Sequence, residues 1–250
     1  MQPTSPRSVE CCVCSSSSAL AIQLEIFGGI RPLFQCTSCQ AAFYEEVPWL
    51  TEAYSSAISS LDTGIVERAI DISNVLTAFL GKADGASYED FGGGIGLLAR
   101  VMRDRGFDFS SSDPMAEYQL PLPTQSTTTP SLTTMIEVLE HLVDPMVVLA
   151  EIMSRCDTIF ISTHLIPKSG LDPSWEYLQP ETGQHIFFCT SKTIEVIANQ
   201  LGVFATSNGK NLHVLHRKPL SWRNRAAITW QQGAWIYAHL AQMFSRGRAI

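Results

Sequence analysis

The sequence predicts an α/β fold in which a doubly wound, mostly parallel β-sheet follows a small N-terminal module. Two observations predict it. From residue 83 to residue 218, short apolar segments alternate with segments of helical periodicity, which is typical of parallel sheets. Near the N-terminus, two C-x-x-C motifs indicate a separate unit held together by a metal ion. The length of 250 residues is sufficient for one large core and one small appended unit.

The N-terminal module is predicted over residues 1–48 and contains four cysteines at metal-ligand spacing. They are Cys11, Cys14, Cys36 and Cys39. Four thiolates from two tight turns are typical of a closed structural zinc site, so we expect a zinc-ribbon-like hairpin between the pairs, with its turn at Gly28 and Gly29. A redox or incidental role for these thiols is the alternative. Cys12 is a spare thiol that can compete for the ion.

The rest of the chain divides into three predicted segments. A helical cover over residues 49–82 includes a helix that Asp62 caps and Gly81 ends. The sheet domain, a Rossmann-like arrangement, occupies residues 83–218, and a basic, aromatic helix is expected over residues 219–250. Within the sheet domain, strands are predicted over residues 88–91, 107–112, 132–139, 157–163 and 212–216, and helices over residues 97–105, 146–155 and 192–201.

A glycine-rich turn, D-F-G-G-G-I-G, joins the first strand of the sheet domain to the following helix. Ligands bind at the carboxyl ends of such strands, and glycines let the backbone approach them closely. Asp113 ends the next strand, where a carboxylate can accept hydrogen bonds from ribose hydroxyls. The dinucleotide fingerprint G-x-G-x-x-G is not met, because its third glycine is replaced by Leu97. Asp90, which directly precedes the turn, suits a cationic cofactor without phosphate better than a pyrophosphate.

The D-x-G-x-G-x-G pattern resembles that of class I S-adenosylmethionine-dependent methyltransferases. The resemblance implies that three glycines of the turn line the methionine portion of the cofactor. It also implies that Asp90 lies beneath that portion and that Asp113 holds the ribose. The glycines concerned are Gly92, Gly94 and Gly96. A glycine-rich turn that binds no ligand is the alternative.

The third strand of the sheet ends in the motif E-V-L-E-H, which contains Glu137, Glu140 and His141. This motif resembles the same position in small-molecule methyltransferases, including the ubiquinone-pathway O-methyltransferases. In those enzymes and in small-RNA 2′-O-methyltransferases, E-x-x-E-H binds a divalent metal, so the resemblance implies a catalytic role for Glu140 and His141 and a candidate metal site shared with Glu137. Alternatively, Glu137 binds the cofactor or the backbone, and the other two residues shape the turn.

An aromatic segment between residues 175 and 188 is predicted to be a substrate lid. Its pattern W-x-Y…P-E-x-G-Q-H resembles a bacterial branch of the class I methyltransferases. His185 is the best candidate for a general base, because imidazole titrates near neutrality. It is alternatively a further metal ligand, or it fixes the loop through backbone hydrogen bonds. His164 is the second candidate base, and His213 is expected to be structural.

Composition and charge limit the classes of function. Hydrophobic residues make up 45% and charged residues 16%, which excludes a mainly disordered chain. No apolar run reaches the roughly 18 residues of a membrane span, and no secretion signal is recognised, so a cytoplasmic location is expected. Residues 210–250 contain seven basic and no acidic residues, whereas the rest has ten basic and 24 acidic residues. Because residues 1–209 are acidic overall, the protein is not expected to bind long nucleic acid.

The basic, aromatic helix predicted over residues 219–250, named the basic tail here, is expected to pack on the core or between two copies in a homodimer. A nucleic-acid or membrane-surface stripe is the alternative. Together, the sequence features predict methyl transfer from S-adenosylmethionine to a small metabolite or sugar, with a hydroxyl favoured over nitrogen or carbon as the acceptor. Two other functions stay open: an RNA-modifying methyltransferase that uses the ribbon and the tail, and a module that binds the cofactor without catalysis.

Overall fold

The computed structural model describes residues 8–54, 63–116, 118–120 and 129–229. These residues form two β-sheets and six helices. The strands are β1 Val9–Glu10, β2 Ser17–Ile26, β3 Gly29–Cys36, β4 Ala42–Tyr44, β5 Ser87–Phe91, β6 Asp108–Ser112, β7 Leu132–Ile136, β8 Thr158–Ser162, β9 Phe187–Phe188, β10 Phe204–Ser207 and β11 Leu212–His216. The helices are α1 Leu50–Ala53, α2 Ile65–Leu80, α3 Leu97–Asp104, α4 Pro145–Arg155, α5 Ser191–Leu201 and α6 Trp222–Thr229.

The larger sheet has six strands in the order β10-β11-β8-β7-β5-β6. Strands β6, β5, β7 and β8 run parallel to one another. Strand β11 pairs antiparallel with β8, and the edge strand β10 pairs antiparallel with β11. One face packs against α2, α3 and α6, and the other packs against α4 and α5. The sequence therefore predicted the doubly wound, mostly parallel sheet correctly. The carboxyl ends of β5, β6 and β7 meet at one edge, where a ligand site is expected.

Local sequence explains most of these elements. The β8 segment T-I-F-I-S contains three consecutive apolar residues, Ile159, Phe160 and Ile161, because both faces of this central strand are covered. Gly96 adopts a left-handed conformation immediately before α3. A capping box opens α5, in which the Thr190 hydroxyl accepts a hydrogen bond from the Thr193 backbone N–H. Gly202, also left-handed, ends this helix.

The smaller sheet has five antiparallel strands in the order β1-β2-β3-β4-β9. Strands β2 and β3 form the expected hairpin, but its turn is at Phe27 and Gly28, both with positive φ, while Gly29 already pairs with Ile26. The fifth strand, β9, comes from the last two residues of the predicted lid. The N-terminal module and the sheet domain therefore share one sheet.

Three other expectations differ from the structure. The strand predicted over residues 132–139 ends at Ile136, because Glu137 has a φ of +53° and residues Leu139–His141 form a 3-10 turn. Strand β10, which has two exposed residues, was not predicted. In the predicted helical cover, residues 49–54 contain one helical turn, α1, and residues 55–62 lie outside the described part of the chain. Gly64 precedes α2, whereas the predicted cap Asp62 lies outside the described residues.

The predicted C-terminal helix begins at Trp222, and α6 packs against α2 on the core. Residues 230–250, which carry the rest of the predicted aromatic and basic stripe, lie outside the described residues. Among the helices that the structure describes, none is long and apolar enough to cross a membrane.

Candidate active site

A cavity of about 990 Å³ opens at the carboxyl ends of β5, β6 and β7. The glycine turn and the E-V-L-E-H motif form one part of its wall. Residues 179–185 of the predicted lid, α1 and the start of α2 form the other part. The cavity thus brings together the sequence motifs that were proposed to bind the cofactor and those that were proposed to act on the substrate.

A buried carboxylate, that of Asp90, packs directly against the glycine turn. The Thr134 hydroxyl donates a hydrogen bond of 2.7 Å to Asp90 Oδ1, and burial raises the pKa of Asp90 to about 7. A Cβ atom on Gly93 would lie 2.5 Å from Ser111 Oγ and 2.9 Å from Asp90 Cγ. Gly93 is therefore required at this position, although sequence reasoning named its neighbours Gly92, Gly94 and Gly96 instead.

Two of the predicted glycines have positions that explain their identity. Gly92 has a φ of +69°, and a Cβ atom there would lie 2.7 Å from Val138 Cγ2. Gly94 has a φ of +56° and lines the cavity. Its backbone N–H donates a hydrogen bond of 2.8 Å to Asp113 Oδ2. The backbone of the turn therefore approaches the cavity directly, because no side chain covers it.

Asp113 lines the cavity at the end of β6, as predicted from the sequence. One of its carboxylate oxygens accepts from Gly94, and the other accepts from the Met115 backbone N–H at 2.8 Å. Asp113 thus fixes the glycine turn against the end of β6. Each oxygen keeps a second lone pair, so the predicted role in binding ribose hydroxyls stays open as a prediction.

Glu137 and Glu140 face one another across the hydroxyl of Tyr177. Glu137 accepts hydrogen bonds from Ser162 Oγ at 2.5 Å and from Tyr177 Oη at 2.9 Å. The Tyr177 hydroxyl also contacts Glu140 Oε1. Glu140 is fully buried, and its Oε2 atom has no hydrogen-bond partner within the described part of the chain. Burial and the charge of Glu137 raise the pKa of Glu140 well above its usual range.

Two histidine rings pack edge to face beside this carboxyl pair, with centroids 4.9 Å apart. His141 Nδ1 lies 2.6 Å from Tyr54 Oη. His185 Nδ1 lies 2.7 Å from the backbone carbonyl oxygen of Tyr177. Because a carbonyl only accepts, Nδ1 of His185 carries the proton and Nε2 holds the free lone pair. Burial lowers the pKa of His141 to about 3 and also lowers the pKa of His185, so both rings are neutral at pH 7.

Glu140, His141 and His185 each offer one ligand atom within 4.8 Å of the others. The metal set implied by the motif contained Glu137, with His185 as an alternative further ligand, whereas the group in the structure contains His185 and not Glu137. The structure differs because both carboxylate oxygens of Glu137 already accept hydrogen bonds, from Ser162 and Tyr177. An uncompensated buried carboxylate oxygen is costly, so the free Oε2 atom of Glu140 indicates that a proton or a cation belongs beside it.

The four predicted cysteines meet at the base of the smaller sheet. All four Sγ atoms lie within 4.8 Å of one another. The Sγ atoms of Cys11 and Cys39 are 3.5 Å apart, and so are those of Cys14 and Cys36. Backbone N–H groups donate to two of the sulfurs. Hydrogen bonds from the Cys12 and Cys39 thiols lower the pKa of Cys11. These four soft donors fit tetrahedral zinc, and Cys12 is not part of the group.

The remaining candidates are separate from these clusters. The His164 ring packs against the Tyr177 ring at a tilt of 36°, with centroids 4.7 Å apart, and His164 is not part of the group of ligand atoms. His213 is fully buried in β11, with Nδ1 2.8 Å from Ser207 Oγ and Nε2 3.1 Å from the Thr163 carbonyl oxygen. It therefore has the structural position that the sequence predicted.

Two residues of the site were missed by sequence reasoning. Tyr177 was recognised only as one of several aromatic residues in the lid, and Tyr54 carries no local signal. Both contact the motif residues from segments that are far away in sequence. Such residues are identified only when the fold brings the segments together.

Comparison with protein families gives a match to a family described as a methyltransferase domain, over residues 66–206. This match covers more than half of the chain and contains the glycine turn, the E-V-L-E-H motif and the lid. The chain therefore belongs to this methyltransferase family. Together with the glycine turn and Asp90, the match defines the protein as an S-adenosylmethionine-dependent methyltransferase of class I. No curated protein matches the chain.

Several solved structures are similar at low sequence identity. The magnesium protoporphyrin IX methyltransferase ChlM from Synechocystis, with bound SAH, is 15% identical over 67% of this chain and 92% of its own, with a TM-score of 0.45. The mitomycin 7-O-methyltransferase MmcR is 14% identical over 68% and 69%, with a TM-score of 0.45. DesVI from Streptomyces venezuelae is 13% identical over 63% and 93%, with a TM-score of 0.42.

Proposed function

We propose that the enzyme transfers the methyl group of S-adenosylmethionine to a hydroxyl oxygen of a small metabolite or sugar. The observation that supports this most directly is the position of His185. Its imidazole lines the same cavity as the glycine turn, and its Nδ1–H is bound to the Tyr177 carbonyl. The Nε2 lone pair is thus left to accept a proton from an acceptor in the cavity.

The chemistry requires little beyond alignment and removal of one proton, because the sulfonium is already an activated electrophile. The acceptor oxygen attacks the methyl carbon while the carbon–sulfur bond breaks. The electron pair of that bond stays on sulfur, and S-adenosylhomocysteine is released. Nε2 of His185 takes the hydroxyl proton, and the imidazolium returns it to water after the transfer. The lowered pKa of His185 keeps the ring neutral before the reaction.

A divalent cation is also proposed at this site, with Glu140, His141 and His185 as its ligands. The unpartnered Glu140 Oε2 atom and the two neutral imidazoles support this set. When bound, such an ion lowers the pKa of an acceptor hydroxyl. His185 would then serve as a ligand instead of the base, and the metal dependence of the reaction distinguishes these two roles.

For the cysteine cluster we propose a structural zinc ion. A site with four thiolate ligands has no open position for a substrate, so the ion would stabilise the smaller sheet and take no part in the transfer. Cytoplasmic location and homodimerisation through the C-terminal helix stay predictions from the sequence. RNA modification and cofactor binding without catalysis are not favoured by the family match.

The proposal is tested with methyl-labelled S-adenosylmethionine and a metabolite extract. Label is expected in the small-molecule fraction with the wild type, and His185→Gln should reduce the transfer rate about 10²- to 10⁴-fold while cofactor binding is unchanged. His164→Gln is the comparison variant, and a loss confined to it would make His164 the base. Label in RNA, or no transfer to any fraction, would reject the proposed acceptor class.

A further inference from the structure

The residues that lead from the smaller sheet into the sheet domain approach both histidines of the proposed site. These residues, 49–54, are named the linker segment here. Trp49 precedes the one-turn helix α1 and Tyr54 follows it. We infer that the linker segment positions His141 and His185 for the reaction, through three hydrogen bonds that involve side chains and join it to the E-V-L-E-H motif and to the lid. This inference rests on the proposed function, in which these two rings act on the acceptor.

The contact with His141 is direct. Tyr54 Oη lies 2.6 Å from His141 Nδ1, and Tyr54 itself lines the cavity. The hydrogen bond on one ring nitrogen sets the tautomer of an imidazole, and therefore decides which nitrogen faces the substrate. With Nδ1 engaged by Tyr54, the Nε2 edge of His141 is the one available to the neighbouring groups.

The contact with His185 passes through the two residues that precede it. The Trp49 indole N–H donates a hydrogen bond of 2.8 Å to the Gly183 carbonyl oxygen. The Gln184 side-chain amide donates to the Ala53 carbonyl oxygen, also at 2.8 Å, and this bond is buried. The backbone just before His185 is therefore held at two consecutive positions by the linker segment.

The close packing around Gly183 supports the same role. A Cβ atom on Gly183 would lie 2.6 Å from Phe27, 3.0 Å from Trp49 and 3.1 Å from Ile26, so the hairpin tip and the linker segment touch the lid backbone itself. The Trp49 ring also lies beneath the Arg31 guanidinium, 4.9 Å from its centroid. Trp49 is thus held by the smaller sheet on one side and bonded to the lid on the other.

The next residue after His185 continues this connection in the backbone. The Ile186 N–H donates to the Glu140 carbonyl oxygen at 2.8 Å, and the Ile186 carbonyl oxygen accepts from the Tyr44 N–H at 3.3 Å. The smaller sheet, the lid and the E-V-L-E-H motif are therefore joined on both sides of His185. The linker segment adds the side-chain bonds that set the direction of the two rings.

The first test observes the rings rather than turnover. Long-range ¹H–¹⁵N NMR spectra of the histidines are recorded on the full chain saturated with S-adenosylhomocysteine. Tyr54→Phe should move the ring-nitrogen resonances of His141 away from those of a single tautomer, while His185 keeps its Nδ1–H form. The matched control is Tyr118→Phe, which removes the same hydroxyl from a side chain that is 62% exposed. Unchanged His141 resonances in Tyr54→Phe would overturn the inference.

The second test measures amide hydrogen exchange in residues 179–186. Trp49→Phe keeps an aromatic ring but removes the indole N–H, so exchange there should become about fivefold faster, as expected for one lost hydrogen bond. Trp222→Phe, at a side chain that is 79% exposed, should leave it unchanged. Equal exchange in Trp49→Phe and the wild type would contradict the role of Trp49.

Calorimetry with S-adenosylhomocysteine separates this inference from the proposed function. Trp49→Phe should bind it with the affinity of the wild type, since Trp49 is not among the residues that line the cavity and the glycine turn is untouched. Tyr54→Phe is measured beside it. If the wild type does not bind it, the proposed function fails first. If the wild type and the variants bind equally and neither the NMR spectra nor the exchange rates change, only the role of the linker segment is rejected.

Discussion

The two groups of candidate metal ligands differ in how they are built. The cysteine group has four soft ligands, all from one small sheet, and no position is left for a substrate. The group of Glu140, His141 and His185 has three mixed ligands and borders a cavity of about 990 Å³. A saturated site is suited to stabilising a fold, and an unsaturated site beside a cavity is suited to chemistry. In the proposed function, the first group therefore serves stability and the second serves the reaction.

The largest effect that tests this difference is expected from loss of one cysteine ligand. Cys36→Ser should remove the zinc and lower the melting temperature by about 10 °C or more, because binding of a structural ion is folding free energy. Metal analysis and thermal unfolding check this. Cys12→Ser is the matched control, since Cys12 is outside the group of ligands, and it should retain both the ion and the stability. If the two variants behave alike, the cysteine group is not a structural site.

Gly93→Ala is expected to have the next largest effect, on cofactor binding rather than stability. Its Cβ atom would collide with Asp90 and Ser111, so the turn must move and the affinity for S-adenosylmethionine should fall about 100-fold or more. Gly64→Ala is the control, because a Cβ atom there meets only Arg68 Nη1, at 3.5 Å, and Gly64 lines the same cavity. Calorimetry on both variants gives the comparison, and an equal affinity would exclude the glycine turn as the binding site.

The pH dependence of cofactor binding gives a smaller and more specific effect. Burial raises the pKa of Asp90 to about 7, and a cationic cofactor favours the ionised carboxylate. As the pH falls below 7, Asp90 of the free protein becomes protonated, and this proton must be released when the cofactor binds. The affinity for S-adenosylmethionine should therefore weaken about tenfold per pH unit. Binding measured between pH 5.5 and 7.5 checks this. Asp90→Asn should bind more weakly at pH 7.5 and lose the dependence, and a persistent slope would assign the proton to another group.

The smallest effect concerns the unsaturated group of ligands. Glu140→Gln replaces a fully buried carboxyl that has one unpartnered oxygen. Without added divalent metal, the variant should be more stable by about 1 kcal/mol at neutral pH. Folding forces the buried carboxyl either to take up a proton or to stay charged without a partner, and an amide avoids both costs. It should also lose divalent-metal binding at the cavity while the cysteine group keeps its zinc. A marked loss of stability instead would show that the carboxylate is needed for folding.

The parts of this architecture that were predictable from the sequence depend on local patterns. Each C-x-x-C pair and the glycine turn is a motif of a few consecutive residues. The alternation of strands and helices predicts the parallel sheet. The non-local parts were not predictable. The pairing of β4 with β9 joins residues more than 140 positions apart, and the bonds from Tyr54 and Tyr177 to the motif have no signature of their own. The early end of β7 depends on the left-handed conformation of Glu137.

The position of the cofactor tests the account most directly. A crystal structure of the full chain with S-adenosylhomocysteine is predicted to place its amino-acid portion on the backbone of residues 92–96, with the sulfur directed toward His185. The acceptor hydroxyl should then lie between the sulfur, from which the methyl group is transferred, and Nε2 of His185. S-adenosylhomocysteine bound elsewhere, or bound with its sulfur turned away from both histidines, would contradict the account.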